Sequence, residues 1–269
     1  MKIWILGFAI GMATICGAEI RVSEMEHHGQ AAWEIKTAAA TYVFQQTAGG
    51  FSSIYDQDGN DWISFKPTGG SDGKYRGIPN LVYPEGFFHP GNTNCISRIE
   101  TNAVDRITIY TECDSGQWAC QWDISPVSAT LTVLKVPKTY WFLYEGTPGG
   151  KLDESSDWMV RSDGARLMAS ESWKIDAQIP RWVVFGDGET GRALLLACDG
   201  TEAVADSYWP MQHNMTVFGF GRNKLESQLH KTPTVFTVAL LNPADAVPDR
   251  LTATVESIIQ HHYCPVKSD

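Results

Sequence analysis

An all-β fold is predicted by this sequence: a sandwich of two large antiparallel sheets with one C-terminal helix. Three observations predict it. Short runs rich in β-branched and aromatic residues recur with period-two alternation. Gly, Pro, Asn and Asp punctuate them, as turns require. A helical apolar period appears once, near the end of the chain.

The first strands are expected at 33–36, 41–44 and 51–55. Asp58-Gly59-Asn60-Asp61 is a tight-turn signal, because Asp and Asn bond local backbone and Gly accepts positive φ. It leads into a further run at 62–65. Strands then follow at 97–102, 106–112, 117–123, 129–136 and 139–144, and again at 182–185, 192–198, 215–220 and 234–241. The segment 248–260 reads as the helix, with Leu251, Val255, Ile258 and Ile259 on one face. More than ten strands with one helix bury their apolar faces by packing sheet on sheet. The sequence carries no repeat, low-complexity tract or linker, so residues 19–269 are expected to form a single domain.

Residues 1–18 have the three parts of a secretory signal: Lys2, an apolar run from Ile3 to Ile15, and the small-residue site Cys16-Gly17-Ala18. The run is too short to span a bilayer. The mature chain is therefore expected to be exported, secreted or periplasmic, with no membrane span. Its formal charge is −10, or −11 once Lys2 leaves, which argues against nucleic acid as a partner. Hydrophobic content of 43% supports a large core. Five of the 6 cysteines remain after cleavage, Cys16 being removed. Cys113 and Cys120 flank the turn signal Asp114-Ser115-Gly116, so a bridge across that hairpin is one expectation and two reduced thiols the other. The Cys and His spacings do not suggest zinc, and neither metal nor cofactor is expected.

The stretch 74–91 (KYRGIPNLVYPEGFFHPG) carries three prolines and three glycines, which break regular ladders, together with four aromatic rings and several charged groups. Linkers are poor in aromatics. An ordered loop of this kind suits a sugar-binding or catalytic surface on a rigid scaffold. Residues 144–150 have the same character, as does 206–211 running into 218–222. The three are expected to meet, so that Arg76, His89, Glu145, Trp209 and Arg222 border one concavity.

Residues 51–62 (FSSIYDQDGNDW) resemble the opening of the galactose mutarotase-like β-sandwich superfamily, in which an early hairpin leads into a long loop over the sugar site. The chain also looks like secreted bacterial carbohydrate-active proteins. The resemblance extends over about residues 30–241 and implies work on sugars by an epimerase, a polysaccharide lyase or a hydrolase. It carries over no catalytic residue, because the family's paired His and Glu motifs are not matched in spacing. Fold alone leaves the reaction open.

The candidates come from the residues themselves. The Arg76 guanidinium suits bidentate capture of a uronate carboxylate, or ties its own loop. Asn80 would help neutralise that carboxylate, or form an Asx-turn. His89, flanked by Phe87 and Phe88, suits general acid–base chemistry near neutral pH. Tyr83 is a proton donor, a stacking ring or a core residue. Tyr144 and Glu145 end an apolar strand, where a carboxylate needs a partner such as Arg76 or Arg222. Asp206, Tyr208, Trp209 and His213 form a second polar–aromatic group, with Trp209 suited to stacking on a sugar face.

Together these residues supply the groups for β-elimination at a uronic acid in a polysaccharide, with Arg76, His89, Tyr144 and Glu145 catalytic. Asn80, Tyr83, Tyr208, Trp209, His213 and Arg222 would bind substrate. An epimerase would use His89 and Glu145. A hydrolase would need two carboxylates, such as Glu145 with Asp206 or Glu85. A non-catalytic sugar-binding protein would need only aromatics and hydrogen bonds. Export makes a direct prediction: N-terminal sequencing of secreted material begins at Glu19, whereas a retained, lipid-modified Cys16 would contradict it.

Overall fold

The alternating runs pair as antiparallel neighbours, and the computed structural model describes residues 19–63, 77–82, 95–176, 181–211, 214–224 and 226–263. The strands, in chain order, begin with β1 (Arg21–His27), β2 (Gln30–Lys36), β3 (Thr41–Gln45), β4 (Gly50–Tyr55) and β5 (Asn80–Val82). Next come β6 (Cys95–Asn102), β7 (Ile107–Cys113), β8 (Ala119–Ile124), β9 (Ala129–Lys135) and β10 (Trp141–Gly146). They are followed by β11 (Trp158–Arg161), β12 (Arg166–Met168), β13 (Trp173–Asp176), β14 (Arg181–Gly186) and β15 (Ala193–Cys198). The last are β16 (Ala205–Met211), β17 (Met215–Phe220), β18 (Arg222–Asn223), β19 (Glu226–Ser227) and β20 (Thr234–Leu241), before the helix α1 (Pro248–Tyr263).

One layer is a nine-stranded sheet of order β12-β11-β14-β15-β20-β9-β8-β7-β6. The other is a five-stranded sheet, β13-β16-β17-β10-β5, continued by the four-stranded sheet β1-β2-β3-β4. The join is made by isolated bridges, Phe51 with Ile78 and Ile63 with Gly146. The inner faces of both layers form one apolar core that includes Phe51, Trp122, Phe142, Tyr144, Phe185, Phe218 and Phe236. Rings interlock across it: Phe51 lies 4.3 Å from Trp122, and Phe142 stacks on Phe236 at 4.5 Å. Such pairs add roughly 0.5–1.5 kcal/mol each beyond area burial.

The helix accounts for the most apolar strands. Every residue of β14 and β15 is buried. Their inner faces join the main core. Their outer faces, with Trp182, Val184, Leu195 and Ala197, pack under Leu251 and Val255 of α1, with Ile258 and Ile259 beside them. A strand covered on both sides loses its alternation, and these runs read as continuously hydrophobic for that reason.

Several sequence expectations need correction. Residues 206–211, with the character of a polar–aromatic loop in sequence, instead belong to β16, a full strand between β13 and β17. Asn80–Val82, inside a stretch read as irregular, is the edge strand β5. The run expected at 62–65 makes only isolated bridging at Asp61 and Ile63, and residues 64–65 lie outside the described residues. The Cys113–Cys120 bridge is absent: both are free thiols, and the register sets Cys120 opposite Thr111. The signal segment 1–18 also lies outside the described residues. Among the described residues, no helix is long and apolar enough to cross a membrane.

One ion pair is sealed between the layers. Arg181 Nη2 and Nε donate to the two carboxylate oxygens of Asp206 at 2.5 and 3.3 Å, and the Gly221 N–H adds a third bond to Oδ1 at 2.9 Å. Both side chains are almost fully buried. Removing one partner strands the other charge in a low-dielectric site. Asp206→Ala is therefore expected to cost about 3–5 kcal/mol of stability. Urea unfolding checks this, and a loss below about 1 kcal/mol, the level of an exposed pair, would contradict it.

Candidate functional site

The side of the five-stranded sheet turned away from the core carries the candidate site, and strand alternation decides which residues reach it. Side chains of β10 alternate between faces, so Phe142 and Tyr144 enter the core while Trp141, Leu143 and Glu145 point the other way. Directly paired residues share a face. Leu143 pairs with Asn80 of β5 and with Gly219 of β17, and Gly219 pairs with Ser207 of β16. The row Asn80–Leu143–Gly219–Ser207 therefore crosses four strands. Beside it runs a second row, Glu145–Val217–Trp209. Trp141, Leu143 and Val217 form a small apolar cluster here, with Trp209, Met211 and Met215 packed against it.

Arg222 lies over this surface. The chain turns back after β17 through Gly221, at φ +68°, a left-handed conformation that favours glycine. That turn folds the Arg222 stem onto Gly219. A Cβ built on Gly219 would lie 2.8 Å from Arg222 Cβ and 2.9 Å from its Cδ, so the missing side chain is what admits the arginine. The guanidinium carbon then sits 3.6 Å from the centre of the Trp209 ring and 5.1 Å from that of Trp141. Burial lowers the Arg222 pKa to about 10, and the nearby negative charge of Glu145 opposes that shift. The group stays charged at neutral pH.

Polar atoms gather here without protein partners. Arg222 Nε and Nη1, Asn80 Oδ1, Trp141 Nε1 and Ser207 Oγ are all buried and unbonded. An unmet buried polar atom costs about 1–3 kcal/mol, so most proteins avoid them. The other end of the Asn80 amide is used: Nδ2 donates to Glu145 Oε2 at 2.9 Å. That bond holds the carboxylate in place on the face. Chemically, the patch combines two indoles, a cation with free donors, a positioned carboxylate, and single donors and acceptors around them.

Of the residues expected from the sequence, Asn80, Glu145, Trp209 and Arg222 share this one face. Arg76, Tyr83, His89 and His213 lie outside the described residues, as does Glu85. Two expected residues are instead in the core. Tyr144 is fully buried, its hydroxyl donates to the Trp62 carbonyl at 2.7 Å, and burial pushes its pKa well up. Tyr208 is likewise inside, donating to the Ala169 carbonyl at 2.5 Å, with its pKa raised by burial. Neither hydroxyl is placed to exchange a proton with a ligand on the outer face. Asp206 also faces inward, in its pair with Arg181, so a hydrolytic couple of Glu145 and Asp206 would have a sheet between its members. The small cleft beside that pair, lined by Arg161, Trp173 and Arg181, belongs to the inner side. Trp141 and Ser207 were not singled out from the sequence. The signal for Ser207 was available, because a strand that presents Trp209 outward also presents the residue two before it.

The family models and the curated proteins contain no match to this chain. Solved structures do match. The crystal structure of HI1317 aligns over 82% of this chain and 96% of its own, with a TM-score of 0.59 and 11% identity. YeaD of Salmonella typhimurium, a candidate mutarotase, aligns over 82% and 94% with a TM-score of 0.52 and 8% identity. The α-N-acetylgalactosaminidase NagBb of Bifidobacterium bifidum aligns over 85% of this chain but 39% of its own, with a TM-score of 0.54 and 14% identity. At these identities the likeness shows the fold alone: the chain shares the two-sheet antiparallel β-sandwich of these structures.

The close fit of Arg222 over Gly219 is testable. Gly219→Ala puts a methyl group into the arginine stem and forces it off the sheet, at about 1–3 kcal/mol of strain. Urea unfolding is expected to show a loss of stability of about that size, while circular dichroism shows the sheet intact. Unchanged stability in the variant would contradict the placement.

Proposed function

We propose that this chain is a carbohydrate-active enzyme that takes an acidic sugar onto the outer face of the five-stranded sheet. We further propose that it cleaves a polysaccharide by β-elimination at a uronic acid. The observation that carries the reading is the Arg222 guanidinium, buried, cationic and unbonded at Nε and Nη1, with one face on Trp209. A guanidinium in such a site is suited to a carboxylate, and charge-assisted bonds are the strong ones. The indoles suit the apolar face of a sugar ring, while Asn80, Ser207 and Trp141 offer partners for its hydroxyls.

In this reading Arg222 holds the uronate carboxylate and stabilises the charge that develops on it when the α-proton leaves. Glu145, positioned by Asn80, takes that proton. The C–H electron pair forms the new double bond, and the bond to the leaving oxygen breaks. Glu145 then passes the proton to that oxygen, which departs as a hydroxyl, and the carboxylate is restored. A second reading, epimerisation, draws on one further observation: Glu145 stands on this face while Asp206 stands on the other, which favours proton transfer over two-carboxylate hydrolysis. Export is part of the proposal, supported by the pattern of residues 1–18. So is a single mature domain, supported by a core that runs from Ile20 to Leu240.

The purified full chain, incubated with polyuronates and with neutral glucans, tests this. New unsaturated ends are expected from a polyuronate alone, read by ultraviolet absorbance. Arg222→Ala is expected to lower turnover by roughly 10²–10³-fold, and Glu145→Gln by roughly 10²–10⁴-fold. Trp209→Ala is expected to raise KM with smaller change in kcat, because stacking serves ground and transition states alike. New reducing ends without unsaturation would contradict elimination. Binding without turnover in the parent would leave a sugar-binding protein.

A further inference from the structure

Four cysteines outside any disulfide occur among the described residues, and the pairing of the strands decides which of them can be joined. Cys95 opens β6, the outer edge of the nine-stranded sheet, and pairs with Cys113 at the end of β7. The two do not exchange backbone hydrogen bonds. The Cys95 N–H donates to the Thr47 carbonyl at 3.0 Å, and the Cys113 N–H donates to the Trp118 carbonyl at 3.1 Å. They therefore occupy a non-hydrogen-bonded position of the ladder, where opposed side chains approach most closely, with Cα atoms about 4.5 Å apart. The next such pair along the same strands, Ser97 and Thr111, brings its hydroxyls within 2.8 Å. A separation of about 4.5 Å lies inside the range a disulfide spans. Both cysteines are buried, on the same inward face.

The other combinations are too distant. Cys120 lies opposite Thr111, two residues along β7 from Cys113. That offset of about 6.8 Å along the strand, added to a strand spacing of about 4.8 Å, exceeds the reach of roughly 7 Å. Cys95 and Cys120 are separated by the whole of β7, about 9.6 Å. Cys198, in β15, has β20, β9, β8 and β7 between its strand and β6.

We infer that Cys95 and Cys113 are the disulfide-forming pair of this protein, closing the edge strand β6 covalently onto β7 as the chain folds in an oxidising compartment. The oxidant is a low-molecular-weight disulfide or a disulfide oxidoreductase. One cysteine thiolate attacks that disulfide and releases one thiol. The second thiolate then displaces the other thiol from the mixed disulfide, so two protein thiols are oxidised and one external disulfide is reduced. An edge strand presents unpaired backbone groups and frays first, so a bond at its start acts where the sheet is most exposed to opening.

The test uses the full chain refolded in a buffer of reduced and oxidised glutathione, then digested without reductant and read by mass spectrometry. One cross-linked product is expected, joining the peptides of Cys95 and Cys113, with Cys120 and Cys198 recovered alkylated. The thermal midpoint of the oxidised protein is expected to exceed that of the dithiothreitol-treated protein by about 5–10 °C. Cys95→Ala removes that gap and Cys120→Ala preserves it. Recovery of Cys95 and Cys113 both alkylated, or a bond from either to Cys120 or Cys264, overturns the inference. The peptide result stands even where a cysteine variant fails to fold.

Discussion

A charged guanidinium held out of water against two indoles, with donors left unbonded, is the constraint on which the rest of this surface depends. Such a group is costly wherever it is not used. Its presence explains neighbours that otherwise look arbitrary. Gly219 has no side chain because the Arg222 stem occupies the place of one, and Gly221 takes a left-handed turn to bring that stem back over the sheet. Trp209 lies under the cation, and Glu145 supplies opposing charge. Asn80 reaches from the edge strand to fix the carboxylate. Strands β5, β10 and the consecutive pair β16 and β17 contribute to one surface, and hydrogen-bonded register aligns them.

The two layers of the sandwich divide the work. The nine-stranded sheet is covered on one side by the main core and, over its central strands, on the other side by α1. It is a scaffold without an open apolar face in that region. The five-stranded sheet meets the core with Phe142, Tyr144, Tyr208, Phe218 and Phe220, and turns its polar–aromatic side outward. The buried Arg181–Asp206 pair, held also by the Gly221 N–H, ties the inner side of this sheet to the turn that carries Arg222. An inner ion pair and an outer cation are thus joined through one residue of backbone.

The fold class was legible in the sequence because period-two patterning survives wherever a strand has one wet face or one polar face. The helix was legible too, since Leu251, Val255, Ile258 and Ile259 could face only one way. What misled was punctuation. Pro210 in β16 and the prolines around Asn80 read as loop, yet Pro210 stands near a strand end and Asn80 begins a three-residue edge strand. As a loop, 206–211 has no alternation; as a strand it turns Tyr208 and Trp209 to opposite faces, and β10 does the same with Tyr144 and Glu145. The Cys113–Cys120 expectation failed for a related reason: closeness across a turn does not fix register, and the ladder sets Cys113 opposite Cys95. Arg222, Glu145 and Asn80 were recoverable because each is a polar residue in a place where a polar residue needs a reason.

The most direct test of the central claim is a crystal structure of the full chain with a bound oligogalacturonate. The account predicts a uronate carboxylate within hydrogen-bonding distance of the Arg222 guanidinium, with the sugar ring against Trp209 and a ring carbon facing Glu145. An oligosaccharide bound on another surface, with Arg222 still unbonded, would contradict it.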